Sequence, residues 1–291
     1  MRKFNSTDFK VSTAIDLKQL STAFNLGASK DSIERHLEEL RETLSELQDI
    51  MYAHNKYSVL LCFQGMDTSG KDSLIREVFK NFNPRGVVVH SFKTPTSTEL
   101  EHDYLWRHYI ALPERGKFSV FNRSHYENVV VSRVHPEYVL NEGLPNIEKL
   151  ADIPDGFWLQ RMQQIANFES HIVQNGTIVL KFFLHLGKEE QAKRLLRRLD
   201  TPKHNWKFSP GDLEERQRWD DYQQYYQEAI NATSLPNAPW YVVPADDKET
   251  ARLIVAQIML DELQRYRISE PELDPEIKAK ISMYRDQLNN E

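Results

Sequence analysis

The chain has 291 residues, of which 40% are hydrophobic and 27% are charged, as is typical of a soluble globular protein. It has no run of about 18 apolar residues, so no membrane-spanning helix is expected, and no apolar signal core follows its N-terminus. Its formal net charge of −6 argues against a general nucleic-acid-binding protein. The single cysteine, Cys62, excludes an internal disulfide and indicates a cytoplasmic protein.

The chain divides into three segments by pattern. Residues 1–54 are expected to form an N-terminal arm and a long helix that packs on the core. Within residues 31–54, apolar side chains recur every three or four positions, which predicts an amphipathic helix. Residues 55–267 are expected to form the core. Residues 268–291 begin with a proline-containing break and predict a short tail helix.

Five apolar segments of the core are preceded by turn residues or follow a helix, and each predicts a β-strand. They are residues 58–63, 87–92, 117–121, 177–184 and 240–243. Helical patterns lie between or after them, at residues 98–110, 157–174, 188–199, 211–232 and 248–267. This alternation predicts an α/β fold with three α/β/α layers around a mainly parallel, five-stranded sheet. Ligands of such sheets bind at the carboxyl ends of the strands.

A glycine loop follows the first predicted strand. Residues 65–73 read Gly-Met-Asp-Thr-Ser-Gly-Lys-Asp-Ser and precede a helical pattern. A G-x-x-x-x-G-K sequence between a strand and a helix predicts a phosphate loop, the Walker A motif. Its backbone N–H groups and the helix N-terminus face phosphate, and Lys71 adds a full charge that makes it a catalytic candidate. The predicted phosphate-binding residues of the loop are Gly65, Met66, Thr68, Ser69, Gly70, Asp72 and Ser73.

The loop contains two unusual acids. Asp72 occupies the place after the lysine, where Ser or Thr normally contacts Mg²⁺, and Asp67 lies within the loop. Two like charges about 4 Å apart repel by about 4 kcal/mol at an effective dielectric constant of about 20. A divalent cation between carboxylate and phosphate removes that repulsion. We therefore predict that Asp67 is a Mg²⁺ ligand and a catalytic residue, with Asp72 as a weaker metal candidate. The alternative for Asp67 is a local turn in which it accepts hydrogen bonds from nearby N–H groups.

A second motif, residues 121–128, ends the third predicted strand and reads Phe-Asn-Arg-Ser-His-Tyr-Glu-Asn. Phosphate-loop proteins usually place there an Asp that contacts the Mg²⁺ shell, whereas this chain has Asn122. Arg123 is predicted to contact the transferring phosphoryl group as a catalytic residue, the alternative being a structural ion pair. Asn122 and Glu127 are further candidates for metal or nucleotide contact, and Arg133 for a second phosphate contact.

Basic residues concentrate in residues 193–207, which carry six basic residues and one acid. A helix, a basic loop and a second helix at 193–225 predict a lid that closes over phosphates. The alternative is a solvated helix surface. The predicted ligand contacts of the lid are Arg194, Arg197, Arg198, Lys203 and Lys207.

These segments together resemble the polyphosphate kinase 2 family between residues 30 and 265. The most specific is the Gly-x-Asp-x-x-Gly-Lys-Asp loop at 65–72. The other matching segments are residues 95–107, 121–127, 133–136, 206–209 and 239–248.

The resemblance implies a P-loop kinase-like fold with a helical lid, in a homo-oligomer such as a dimer or tetramer. It implies phosphoryl transfer between inorganic polyphosphate and adenine nucleotides, with guanine nucleotides as further candidates and Mg²⁺, or Mn²⁺ in its place, as cofactor. Residues 124–127, Ser-His-Tyr-Glu, resemble the branch that accepts both AMP and ADP. The chain departs from family patterns at Asn122, where part of the family has Asp, and at Asn128, where an acid is common in that branch.

Two other functions fit part of the pattern. An ordinary ATP-dependent nucleotide kinase would use ATP as its only donor, and the loop acid and basic lid argue against it. A non-catalytic regulator that binds polyanions or nucleotides is favoured only by Asn122. No nucleic-acid or membrane partner is expected.

Overall fold

A computed structural model describes residues 2–290. Its five strands are β1 (Ser58–Gln64), β2 (Val87–Ser91), β3 (Phe118–Asn122), β4 (Thr177–His185) and β5 (Trp240–Pro244). They form one sheet in the order β2-β3-β1-β4-β5, and all neighbouring strands are parallel. The five predicted strands are therefore confirmed, each end lying within one residue of its predicted position.

Within residues 2–290 the structure has twelve α-helices. Their bounds are α1 Lys30–His54, α2 Lys71–Val78, α3 Ser97–Leu100, α4 Trp106–Tyr109, α5 Val131–Val134, α6 Glu137–Leu140, α7 Phe157–Gln174, α8 Lys188–Asp200, α9 Gly211–Gln217, α10 Trp219–Thr233, α11 Lys248–Gln264 and α12 Pro275–Asn289. No helix within residues 2–290 is long and apolar enough to cross a membrane.

The prediction of a single helix is wrong for two segments, each of which contains two helices. The segment 98–110 contains α3 and α4, because the Asp103 side chain accepts a hydrogen bond from the Leu105 N–H (2.9 Å) and starts a new turn. The segment 211–232 is divided into α9 and α10 at Arg218, whose backbone (φ −90°, ψ 19°) leaves the helical region. The third difference is smaller, since α11 ends at Gln264 rather than at residue 267.

Helices cover both faces of the sheet, which confirms the three-layer fold. On one face, α1, α2 and α11 bury aliphatic side chains such as Leu37, Leu44 and Ile254 against β1 and β4. On the other face, α7 and α10 pack through residues such as Ile165 and Ile230. Hydrophobic burial on both faces explains why β1 and β4 are nearly uninterrupted apolar runs.

The N-terminal arm lies along the outer edge of the sheet. The Val11 N–H donates to the Trp240 carbonyl of β5 (2.9 Å), and Phe9 and Leu26 are buried in the main core. The arm therefore covers an edge strand that would otherwise expose unpaired backbone groups. At the other end of the chain, no residue of α12 is buried.

Candidate active site

The glycine loop leaves the carboxyl end of β1, between β3 and β4. Gly65 has φ +150°, and a Cβ there would lie 2.9 Å from the Leu184 carbonyl oxygen, so only glycine fits. Gly70 (φ +101°) turns the chain into α2. Thr68 also adopts a left-handed conformation (φ 64°), which is uncommon for a residue with a Cβ and costs about 1 kcal/mol or more.

Several loop groups point to an anionic ligand. Ser69 is 3% exposed, yet among the residues that the structure describes neither its hydroxyl nor that of Thr68 has a hydrogen-bond partner. The Lys71 ammonium is buried and donates to the carbonyls of Gly65 (2.5 Å) and Met66 (3.3 Å). Unpartnered buried donors beside a buried cation are what a phosphate group satisfies.

The surroundings of Lys71 lower its pKa in the absence of a ligand, and a bound anion would have the opposite effect. Burial lowers its pKa, and the Arg123 guanidinium lowers it further, while the carboxylates of Asp67, Glu127 and Asp72 act in the opposite direction. A bound phosphate would stabilise the ammonium and raise its pKa.

We therefore expect tripolyphosphate binding without metal to take up protons at alkaline pH, below the ordinary lysine pKa of about 10.4. In that range the free protein has partly lost the Lys71 proton, and the complex holds it. Calorimetric titration in two buffers of different ionisation enthalpy measures the uptake. We expect the uptake to disappear in Lys71→Met; equal uptake in that variant would contradict the assignment.

Arg123 lies between two acids of the site. Its Nη2 is 3.4 Å from Asp67 Oδ1, and its Nη1 is 3.5 Å from Glu127 Oε2. Its pKa is raised, by Glu127 first and by Asp67, against the effect of burial. Arg123 has φ 63°, and its N–H donates to the Phe63 carbonyl (3.2 Å), which fixes its position beside the loop. The structure thus brings the two predicted motifs together.

Asn122 and Asp72 form a direct pair. The Asn122 amide donates to Asp72 Oδ1 (2.6 Å), so the amide at the end of β3 orients the acid that follows Lys71. With Asp67 and Glu127, the site therefore presents carboxylate and amide oxygens. Mg²⁺ prefers such ligands and binds few of them when phosphates complete its shell. The donor set fits Mg²⁺, although no cluster of three or more His, Cys, Asp or Glu residues placed to hold a metal occurs within residues 2–290.

A buried network of hydrogen bonds and one ion pair holds the second motif, residues 121–128, in place. The Glu169 carboxylate forms an ion pair with Lys181 of β4, and both side chains are fully buried. Glu169 also accepts hydrogen bonds from Tyr126 (2.8 Å) and from Nε2 of His125 (3.0 Å), and Lys181 donates to the Thr233 carbonyl (2.7 Å). His125 and Tyr126 therefore pack and orient the motif rather than face the ligand.

Replacing Glu169 with Gln is expected to lower the free energy of unfolding by about 3 kcal/mol. The substitution leaves the buried Lys181 ammonium without its counter-charge. Urea denaturation of the folded variant measures the loss, with Gln174→Glu on the exposed surface of α7 as the control. A loss below about 1 kcal/mol, the size expected of an exposed pair, would show that the network is not a buried ion pair.

Arg194, a predicted ligand contact of the lid, donates its hydrogen bonds to protein groups in this structure. Its side chain is buried, and all five of its N–H groups have acceptors. These acceptors are the carbonyls of Thr68 (3.0 Å), Ser69 (3.2 Å), Ala245 (2.7 Å) and Asp246 (2.8 Å) and the carboxylate of Glu190 (2.9 Å). In this structure the guanidinium has no remaining donor for a phosphate, and Arg194 holds the loop. A phosphate contact at Arg194 would require one of these hydrogen bonds to open.

The other lid residues are placed differently. Arg198 donates to Asp212 (2.9 Å) and to the Lys207 carbonyl (3.0 Å) within the lid. Arg197, Lys203 and Lys207 are exposed, and no hydrogen bond or ion pair joins their side chains to the glycine loop in the described structure. They form a basic surface beside the site rather than part of the cradle.

Arg133 is paired with an acid in this conformation. It forms an ion pair with Glu228 of α10, and its guanidinium lies 4.2 Å from the ring centroid of Tyr225. A phosphate contact at Arg133 would require this pair to open.

Sequence reasoning missed three residues of this region. Gln191 contacts the loop from α8, and Lys248 adds charge to the lid surface, where burial and the nearby Arg194 and Arg197 lower its pKa. Tyr226 is buried beside the loop, and burial and Glu127 raise its pKa. No pattern in the sequence marks a neutral Gln or Tyr on a helix as a site residue.

A family model described as polyphosphate kinase 2 matches residues 27–271. The chain belongs to the polyphosphate kinase 2 family. This confirms the resemblance seen in the two motifs, and the matched segment includes both motifs and the lid.

Proteins of similar sequence and a solved structure of similar fold support this family membership. An ADP-polyphosphate phosphotransferase from Rhodopseudomonas palustris is 49% identical over 89% of each chain. An AMP/ADP-polyphosphate phosphotransferase from Meiothermus ruber is 42% identical over 80% of this chain and 82% of its own. The crystal structure of polyphosphate kinase 2 from Arthrobacter aurescens TC1 superposes with a TM-score of 0.87 at 33% identity, over 98% of this chain and 99% of its own.

Proposed function

We propose that the protein transfers phosphoryl groups between inorganic polyphosphate and nucleoside mono- and diphosphates, converting AMP to ADP and ADP to ATP, with GMP and GDP as further acceptors. The observation that carries this proposal is the phosphate loop with two acids beside a buried lysine and Arg123, in a chain of the polyphosphate kinase 2 family. The names of the two sequence relatives support both nucleotide acceptors.

The charges around the site suit a polyanionic donor. The basic surface formed by Arg197, Lys203, Lys207 and Lys248 adjoins the loop through α8. Polyphosphate has no base to recognise, so charge along a surface is sufficient to bind it, and acidity elsewhere in the protein is tolerated. We propose that the polyphosphate chain lies along this basic surface and that its terminal phosphate binds at the glycine loop.

Catalysis would then depend on placement and charge. The bond from the terminal phosphorus to its bridging oxygen breaks, a bond to an acceptor phosphate oxygen forms, and polyphosphate leaves one unit shorter. Lys71 and Arg123 neutralise charge on the moving group. The acceptor oxygen is already ionised, so no general base is needed. We propose that Asp67, with Asp72, Asn122 or Glu127, holds Mg²⁺, which when bound supplies positive charge to the phosphates.

The remaining residues would bind rather than react. Backbone N–H groups of the loop and the hydroxyls of Thr68 and Ser69 contact phosphate, and Arg133 contacts it after leaving Glu228. Tyr226 closes the buried side of the loop.

One assay tests the function. Purified protein is mixed with Mg²⁺, polyphosphate and AMP, ADP, GMP or GDP in turn, and the nucleotides are separated by ion-exchange chromatography. We expect AMP to be converted to ADP and ADP to ATP, and we expect both conversions to require polyphosphate and Mg²⁺. Transfer with ATP as the only effective donor would instead identify a nucleotide kinase, and binding without transfer would identify a regulator.

We also propose that copies of this chain associate, as a dimer or tetramer, in the cytoplasm. Helix α12 has an apolar stripe at Ile277, Ile281, Tyr284 and Leu288, and all four side chains are at least 40% exposed. Their spacing of four, three and four residues is that of a helix packed against another surface. Light scattering of the full chain and of Ile281→Asp measures the mass; a monomer in both would refute the association.

A further inference from the structure

Three successive carbonyl groups of the glycine loop point at helix α8. The Gln191 amide donates to the Asp67 carbonyl (3.0 Å), and Nη1 of Arg194 donates to the carbonyls of Thr68 (3.0 Å) and Ser69 (3.2 Å). Gln191 is 1% exposed and Arg194 is 9% exposed, so water does not compete for these bonds. Two side chains of one helix therefore hold the part of the loop where Thr68 has its strained backbone.

Fixing these carbonyls also fixes the N–H groups of the loop. In a planar trans peptide the C=O and the following N–H point in opposite directions. The Ser69 N–H is used inside the loop, by the Met66 carbonyl (3.0 Å). In the described structure, the N–H groups of Thr68 and Gly70 have no acceptor. Each shares a peptide plane with a carbonyl that points at α8, that of Asp67 or Ser69, so both N–H groups face away from α8 and can donate to a phosphate.

Gln191 is in turn held by the lid. Its Oε1 accepts a hydrogen bond from Arg216 of α9 (2.8 Å), and the same Arg216 nitrogen donates to the Lys188 carbonyl at the start of α8 (2.7 Å). This contact selects one orientation of the Gln191 amide, the one in which Nε2 faces Asp67. The chain of contacts thus runs from α9 through Gln191 to the loop.

We propose that Gln191 and Arg194 are positioning residues for phosphoryl transfer, and that Gln191 with Arg216 makes the shape of the phosphate loop depend on the position of lid helix α9. The proposal rests on the proposed function, since the loop and lid act there on the same phosphates. When α9 is in the place seen here, the amide is oriented and the loop N–H groups are aligned. When α9 moves away, the Asp67 carbonyl loses its oriented donor and the loop relaxes.

The test uses two single variants and their combination in the full-length protein. Gln191→Met and Arg216→Met keep most of the side-chain length and remove the hydrogen bonds. Gln257→Met is the matched control, because the Gln257 amide donates to Asp261 (2.7 Å) within α11 and makes no hydrogen bond to the loop or the lid in the described structure. Hydrogen exchange of the Ser69 N–H, which donates to the Met66 carbonyl within the loop, measures loop order by NMR without requiring activity. Steady-state kinetics give kcat and KM.

We expect faster exchange of the Ser69 N–H in both single variants, with unchanged exchange in β4 and β5. We expect kcat to fall about 10-fold or more in Gln191→Met, with KM for ADP changed by less than about threefold, because misplacement of reacting groups slows the chemical step. The double variant should match Gln191→Met, since the two residues act in series. Gln257→Met should match the wild type.

Other outcomes overturn the inference. Unchanged loop exchange in Arg216→Met would show that the lid does not act on the loop. Losses that multiply in the double variant would show that the two residues act independently. A lower melting temperature with unchanged kcat would show a merely structural role. Absence of polyphosphate-dependent transfer in the wild type would refute the proposed function, whereas the exchange measurement would still decide the coupling.

Discussion

Replacing Lys71 with Met is expected to lower polyphosphate-dependent ATP formation by about 1,000-fold or more. The Lys71 ammonium is buried beside the loop and is held by the Gly65 carbonyl at 2.5 Å, so it can move a short distance onto a phosphate. Methionine keeps the volume of the stem and removes the charge. Initial rates with ADP, polyphosphate and Mg²⁺ measure the loss.

The matched control for this variant is Lys56→Met. Lys56 is an exposed lysine before β1, at the opposite end of the sheet from the loop. We expect its rate to equal that of the wild type. A folded Lys71→Met protein that retains more than about one tenth of the wild-type rate would exclude a catalytic role, because removing a single transition-state contact typically costs more than that.

Replacing Asp67 with Asn is expected to lower the rate by about 100-fold or more and to weaken metal binding. The carboxylate is about one-third exposed and only 3.4 Å from the Arg123 guanidinium, so in the free protein these groups neutralise each other. An amide keeps the shape of the side chain but supplies no charge to Mg²⁺. Rates as a function of Mg²⁺ concentration, and electron paramagnetic resonance of bound Mn²⁺, measure the two effects.

Asp49→Asn, an exposed acid of α1 that has no ion pair in the described structure, is the control for the lost charge. If Asp67 serves only as a partner of Arg123 or as a turn residue, Asp67→Asn will bind Mn²⁺ as the wild type does. That result would remove the metal assignment while leaving Lys71 in place.

The sheet and the loop could be predicted because local patterns determine them. The strands of a parallel sheet are apolar on both faces, and the glycine loop requires glycine where a Cβ would collide with the Leu184 carbonyl. The breaks at Asp103 and Arg218 could not be predicted, because side-chain capping and packing overrode a helical pattern that continues through both.

The lid shows the limit of reasoning from charge. Arg194, Arg197 and Arg198 lie within five positions, and their sequence does not show which one faces the loop. In the structure Arg194 points at backbone carbonyls, Arg198 pairs with Asp212, and Arg197 is exposed. Which arginine is buried depends on how α8 packs against the loop and the end of β5. This packing is set by tertiary contacts that a local sequence pattern does not show.

The most direct test of this account is a crystal structure with Mg²⁺ and tripolyphosphate bound. We expect phosphate oxygens within hydrogen-bond distance of the N–H groups of Thr68 and Gly70, the Lys71 ammonium moved from the Gly65 carbonyl to a phosphate, and the metal ion beside Asp67. Phosphates bound elsewhere, with Lys71 still on the Gly65 carbonyl and no ion near Asp67, would contradict it.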